Sequence, residues 1–360
     1  ALVLTAFAAF SAAEARSAQF SNVYVFGDSL SDAGYFRGFL RGVGLPQSVV
    51  DAMGRYTTNP GPVWSELVAE YYGVAPRPSN VSGGTIYAQG GARVAGTPGV
   101  STPPGQAQRP VSTQVSEFLA ANAAADPNAL YAVWAGANDV FFNLGAFQAG
   151  AMTQAELQTN VLAAATAEIQ QIARLRAAGA RYIMVFTLPD IGATPAFASS
   201  GAATSGAVSA LSAGYNTTLL TGLAGAGIRV IPVDAFSLFA EVRANPGSFG
   251  LSNVTGVACG PFPPLSTTSA SLFCNPSNTV PGGADNYAFA DPVHPTSAAH
   301  RIIAQFATSM IEGPSQHGLL AEAALRTRAG QIHAIGDGVI AGRAADVGGL
   351  HVFAGLDGTE

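Results

Sequence analysis

The sequence predicts an α/β protein, a three-layer α/β/α sandwich around a five-stranded parallel sheet, with long loops over the carboxyl ends of the strands. Three observations carry this expectation. Five short runs are rich in β-branched and aromatic residues, the segments between them repeat apolar residues at helical spacing, and three stretches of Gly, Pro, Ser and Thr interrupt the rhythm. Strand and helix in alternation imply a parallel sheet covered on both faces. In such sheets, sites form beyond the carboxyl ends of the strands.

The five strand candidates are NVYVFG (22–27), TIYA (85–88), ALYAVWAG (129–136), RYIMVFTLP (181–189) and IRVIPVD (228–234). The clearest helix spans 153–178, where Leu157, Val161, Ala165, Ile169, Ile172 and Leu175 share one face and Gly179 supplies the stop. A second covers 296–311, with Ala299, Ile302, Ile303, Phe306 and Met310 in register and Thr296 as its N-cap. Residues 35–84, 92–112 and 245–295 fit no strand or helix pattern and read as long loops over the sheet, which in a compact domain are functional or disordered.

Composition narrows the function. A formal charge of −6 with only 16 Lys and Arg argues against a nucleic-acid partner, which needs a dense basic face to neutralise phosphates. Charged residues are 11% of the chain, yet 48% is hydrophobic, enough to bury a real core. Residues 1–18 open with ALVLTAFAAFSAAEA, a run about the length of a signal-peptide apolar region and followed by small residues at Ala13 and Ala15, so a leader remnant and an exported protein are expected. Cys259 and Cys274, the only cysteines, bracket one Pro/Ser-rich loop. In an exported protein two such cysteines most simply form a disulfide.

The chemistry gathers at the strand ends. In VYVFGDSLSDAG, Asp28, Ser29, Ser31 and Asp32 follow directly on an apolar run. Taken alone, that stretch fits a polar turn with Asp32 capping the next helix as well as it fits a nucleophilic serine. A serine hydroxyl attacks only when a base takes its proton, so a partner His is required. Of the five His, only His294 in ADPVHPTSAAH has a carboxylate placed to orient it: Asp291, three residues earlier, in a turn stiffened by Pro292 and Pro295. Asp291 accepting from Nδ1–H would fix the tautomer and leave Nε2 as base. Acyl transfer also needs donors for an oxyanion. The Ser29 amide, Asn138 in WAGANDV and Gly91 in YAQGGARV stand just past strand ends, with Gly90 a competitor for Gly91. Asp28 and Asp139 are expected to hold these loops through backbone hydrogen bonds.

FGDSLSD, GGA, GAND and DPVHP occur in the order of the four signature blocks of the GDSL esterases and lipases, the SGNH hydrolases, and the chain resembles that family over residues 20–312. The stretch GRYTTNPGPVWSELVAEYYG (54–73) is similar to the one these enzymes carry after the first block. The resemblance implies a flavodoxin-like fold, and Ser29 as nucleophile with His294 and Asp291 as base and orienting acid. It also implies an oxyanion hole of the Ser29 amide, Gly91 and Asn138, with no metal or organic cofactor. The implied substrate is a small-molecule or lipid ester. Phospholipid deacylation, acyl transfer and polysaccharide O-acetyl removal are the superfamily's alternatives, and a non-catalytic surface module is the alternative outside enzymes.

Residues 19–313 are expected to form the hydrolase domain. Residues 314–360 begin with an Ala/Leu/Arg helical pattern and end in the short alternating piece LHVFAGLDG. That order resembles the junction in autotransporter GDSL esterases, where a linker helix leads into an outer-membrane β-barrel. The expectation is anchoring at the cell surface through such a barrel, or secretion without one.

Overall fold

A computed structural model describes residues 19–314 and Arg328. The expected leader remnant, and the expected linker and barrel start apart from 314 and 328, lie outside the described residues. Gln19–Met310 form one compact unit; the other, residues 1–18 with 311–360, contributes only the helical residues 311–314 and Arg328 to the description.

In chain order the elements are β1 (Val23–Gly27), α1 (Arg37–Gly42), α2 (Gln47–Asp51), α3 (Trp64–Tyr71), α4 (Val111–Ala121), β2 (Leu130–Trp134), α5 (Ala137–Gln148), α6 (Gln154–Ala177) and β3 (Tyr182–Phe186). Then follow α7 (Pro195–Ala198), α8 (Ala202–Gly225), β4 (Ile231–Val233), α9 (Ala235–Ala244), β5 (Asn253–Val257), α10 (Gly283–Asn286) and β6 (Tyr287–Phe289). A final helix opens at residue 297, where Thr296 Oγ1 accepts the Ala299 amide at 3.2 Å as the expected cap.

The main sheet has four parallel strands in the order β1-β2-β3-β4. The run 85–88 supplies the fifth position only in part. It lies along the outer edge of β1, held by Val25 N–H to Thr85 O at 3.1 Å, Tyr87 N–H to Val25 O at 2.7 Å and Gln89 N–H to Gly27 O at 3.2 Å. Counting that run, the spatial order is 2-1-3-4-5 in sequence terms, the doubly wound order in which a crevice opens where the strand order reverses.

β2 is buried at every residue, as a central parallel strand covered on both faces must be. On one face Tyr131 and Val133 join Phe118 of α4, Val140 of α5, Val161 and Ile172 of α6 and Leu219 of α8 in one apolar cluster. On the other, Trp134 stacks on Phe186 at 4.6 Å and Trp64 of α3 closes over Phe186 at 4.3 Å. These are the three layers. The long helix α6 starts where its sequence says it should, with Thr153 and Glu156 in a reciprocal capping box, and stops before Gly179 at φ +116°.

Two of the long loops hold more regular structure than their composition suggests. Residues 35–84 contain α1, α2 and α3, and 245–295 contain β5 and β6, which pair in parallel as a separate two-stranded sheet. The pairing of β5 with β6 joins residues more than thirty positions apart, so no local pattern announces it. Cys259 and Cys274 are joined by a disulfide in this region, with Cα atoms 5.6 Å apart.

Candidate active site

β1 ends at Gly27, whose register partner is Trp134 at the end of β2. A Cβ at Gly27 would sit 2.3 Å from the Trp134 carbonyl oxygen, so the two strand ends approach this closely only because glycine is there. Ser29 and Asn138 therefore leave adjacent strands at nearly the same level, in the crevice where the strand order reverses. Gly136, with φ +106°, makes the left-handed turn from β2 into α5, and α5 presents Asn138 and Asp139 in its first turn.

His294 reaches this crevice from the turn after β6. Its Nε2 stands 2.8 Å from Ser29 Oγ, and its Nδ1 stands 2.8 Å from Asp291 Oδ2 and 2.9 Å from Oδ1. An ionised carboxylate only accepts, so Nδ1 carries the hydrogen and Nε2 is left to accept the Ser29 hydroxyl. The Asp291 carboxylate is braced further by the amides of Val293 at 3.0 Å, His294 at 2.9 Å and Ser271 at 2.8 Å. Burial alone would raise its pKa, but His294 and these hydrogen bonds outweigh burial and hold it well below the usual carboxylate range.

Opposite His294 lie the donors. The amides of Ser29 and Gly91 have no acceptor within the described protein. The Gly90 amide, by contrast, is committed to Asp32 Oδ2 at 2.8 Å, which separates the two neighbouring glycines. Gly91 adopts φ +78°, and a Cβ there would lie 2.1 Å from the Val100 carbonyl oxygen. Asn138 Nδ2 donates to Ala92 O at 3.0 Å, which fixes its amide plane and leaves its second hydrogen free for a ligand.

The glycine loop is clamped from both sides by carboxylates. Asp32 takes the Gly90 amide as well as those of Gly34 at 2.8 Å and Tyr35 at 2.6 Å. It thus folds its own turn and ties down a distant loop; it does not cap α1, which begins only at Arg37. Asp139 accepts the Val94 amide at 2.8 Å and Arg93 Nε at 3.1 Å. Asp28 accepts the Leu30 amide at 3.0 Å, while its Oδ2 is buried without a partner. Burial pushes Asp28 up to about 7 and Asp32 up to about 6.

Ser29, Gly91, Asn138 and His294 share the wall of a cavity of about 140 Å³ whose remaining lining is largely apolar, including Leu30, Val100, Phe141, Ile191 and Val293. Tyr56 also faces it, its ring 5.0 Å from that of His294. His300, the nearest other histidine in sequence, is fully buried and its Nδ1 accepts the Trp64 amide at 3.2 Å. Burial lowers its pKa to about 3, so it stays neutral. Among the described residues no group of His, Cys, Asp and Glu is arranged to hold a metal ion.

Sequence reasoning missed three contributors here. Ser271 acts through its backbone, and Tyr56 sits in a stretch read as loop. Asp139 holds its loop through the Val94 amide as expected, but the tie from Asp32 to the Gly90 amide is invisible until the loops are folded.

A family model described as GDSL-like Lipase/Acylhydrolase matches residues 23–307. An uncharacterised protein from the trpE–trpG intergenic region of Pseudomonas putida is 34% identical over 343 residues, covering 88% of this chain and 52% of that protein. Esterase EstA of Pseudomonas aeruginosa is 29% identical over 350 residues, covering 87% of this chain and 50% of its own. A phosphatidylcholine-sterol acyltransferase of Aeromonas hydrophila is 29% identical over 345 residues, covering 86% of this chain and 95% of its own. The chain thus spans about half the length of the two Pseudomonas proteins.

Proposed function

We propose that this chain, which belongs to the GDSL-like lipase and acylhydrolase family, hydrolyses carboxylic esters through an acyl-enzyme formed on Ser29. The observation that carries the reading is the continuous line from Asp291 through His294 to Ser29 Oγ, each step within 2.9 Å, facing two uncommitted amides. Ser29 Oγ attacks the ester carbonyl as its proton passes to His294 Nε2. The negative charge that develops on the carbonyl oxygen meets the Ser29 and Gly91 amides and the free hydrogen of Asn138 Nδ2. The C–O bond to the alcohol then breaks, and the alcohol leaves with the proton from His294. Water, deprotonated by the same nitrogen, releases the acid and restores Ser29. Asp291, kept ionised, stabilises the imidazolium that appears twice in the cycle.

The cavity size supports short acyl chains. The cavity of about 140 Å³ is bounded by Val100, Phe141 and Ile191, and this bounded apolar wall is the support for a short acyl group such as butyryl. The test is labelling with a fluorophosphonate, followed by 4-nitrophenyl esters from acetate to palmitate. Labelling and turnover are expected in the wild type, with kcat/KM highest near butyrate, and are expected to vanish in Ser29→Ala. Undiminished hydrolysis by the Ser29→Ala protein would overturn the mechanism; a maximum at palmitate would overturn only the chain-length reading.

Acyl transfer is the second reading, favoured by the name of the Aeromonas relative, and adding an alcohol acceptor to the same assay separates it from hydrolysis by product. Export is also proposed. The disulfide between buried Cys259 and Cys274 supports it, since such bonds persist in oxidising compartments. Surface anchoring through a barrel is proposed on the tail's resemblance alone, and requires coding sequence beyond Glu360 for about a dozen alternating strands of roughly 10 residues.

A further inference from the structure

We infer that the depression behind His294 receives the leaving alcohol of the ester, and that Arg243 selects alcohols carrying a negative charge. The inference rests on the ester-hydrolase reading of Ser29 and His294. In that reaction the oxyanion turns toward Gly91 and Asn138, so the alcohol oxygen must turn the other way, to His294 Nε2, to collect its proton. Val293 and Pro295, the residues on either side of His294, help wall a second depression of about 30 Å³, and Leu30, Pro189, Thr194 and Val293 line both it and the catalytic cavity. An alcohol leaving along His294 would enter it past these shared residues.

The far wall is one face of α9, formed by Phe239, Ala240 and Arg243. Arg243 is exposed and, among the described residues, has no hydrogen bond, ion pair or ring partner. Arg93 and Arg55 differ: they are bound to Asp139 and to Glu66. The charge opposing Arg243 is Asp190, which lines the same depression with Oδ1 engaged by the Ser209 hydroxyl at 2.6 Å. Glu241, on the same helix, is exposed. A guanidinium with all its donors unspent recognises a phosphate or carboxylate by paired, charge-assisted hydrogen bonds. The step balances without a further reactant: the alkoxide takes the proton held by His294 and departs with its anionic group on Arg243.

The test compares matched esters, 1-butyryl-glycerol and 1-butyryl-glycerol 3-phosphate, with the butyryl ester of glycolic acid as a carboxylate-bearing third. The readout is the ratio of kcat/KM for charged over neutral ester, which a loss of folded enzyme cannot change. The wild type is expected to favour at least one charged ester about tenfold, the preference weakening as salt is added. Arg243→Gln should bring that ratio to about one, Arg243→Lys should keep part of it, and Asp190→Asn should widen it. A wild-type ratio of one, or a ratio that Arg243→Gln leaves in place, overturns the inference. Failure of the ester-hydrolase reading looks different, because the wild type would then turn over none of the three esters.

Discussion

Asn138→Ala is the substitution that most directly separates oxyanion stabilisation from substrate binding. In the resting protein Asn138 Nδ2 spends one hydrogen on Ala92 O at 3.0 Å and keeps the other for a ligand. With the amides of Ser29 and Gly91 it would make three donors, so alanine removes one of three. Losing one such donor costs kcat about 10²–10³-fold, or roughly 2.7–4 kcal/mol of transition-state stabilisation. KM should stay within about twofold, because the neutral carbonyl of the bound ester is a far weaker acceptor than the oxyanion. The cost to the fold is smaller, since the Ala92 carbonyl loses one hydrogen bond, worth about 1 kcal/mol. Steady-state kinetics on 4-nitrophenyl butyrate, normalised by active-site titration and paired with a urea unfolding curve, read all three quantities. A kcat within threefold of wild type, or a loss confined to KM, would refute the assignment. Asn138→Asp sharpens the test, because it keeps the shape while replacing a donor by a negative charge, and its kcat must fall further than that of the alanine variant.

The buried Glu168 gives a pH signature. Burial lifts its pKa to about 8, against a lowering by the Tyr215 hydroxyl bound to it at 2.6 Å and with further raising by Asp28 and Asp139. An acid whose folded pKa exceeds its unfolded one costs stability as pH climbs from the unfolded value to the folded one, about 1.4 kcal/mol for each unit. Glu168→Gln removes that dependence while keeping an acceptor for Tyr215. The two proteins should match near pH 4.5, and the variant should gain on the wild type up to pH 8, by roughly 3 kcal/mol at pH 7. Urea midpoints that stay parallel across this range would count against a neutral Glu168. Replacing Cys259 and Cys274 together by Ser should lower stability by about 3 kcal/mol for a loop of this length. It should also reduce kcat, since Ser271, whose amide braces Asp291, lies inside that loop. Full activity in a measurably destabilised double variant would show that Asp291 is held without the loop.

What the sequence discloses about this fold is what is local. Asp291 and His294 lie three residues apart in a turn with Pro292 and Pro295, so their pairing needs no knowledge of tertiary structure, and the capping box at Thr153 and Glu156 is legible for the same reason. The central strand announces itself because burial on both faces demands an unbroken apolar run. What stays hidden depends on contacts across long separations. β5 is only partly buried and contains Asn, Thr and Gly, so its partner and not its composition makes it a strand. The run 85–88 has strand composition but achieves only an edge alignment, since Gly84 and the turn before it bring residues 77–79 against its other side. Asp32 reads as a helix cap because a sequence shows the next amides, while the one that matters for the site, Gly90, is 58 residues away.

The two halves of the site are supported differently, and this bears on how each would fail. The half that carries the proposed oxyanion donors grows directly out of the sheet: Gly27 and Gly136 set the strand ends, and Asp32 and Asp139 grip the loop that carries Gly91. Buried carboxylates with raised pKa values cost stability at neutral pH. Their concentration here, with Glu168 behind them, is a local sacrifice of stability for fixed donor geometry, as expected where pre-organisation matters to the reaction. The half that carries the proposed acid–base pair, Asp291 and His294, hangs from irregular chain after β6. Its order comes from cross-links: the amides of Cys259 and Ala258 pair with Ala290 and Phe289, the disulfide closes the loop, and Ser271 returns to Asp291. Reduction of the disulfide should therefore loosen Asp291 and His294 before it disturbs Asn138 or Gly91. Activity should fall while binding of a neutral ester persists.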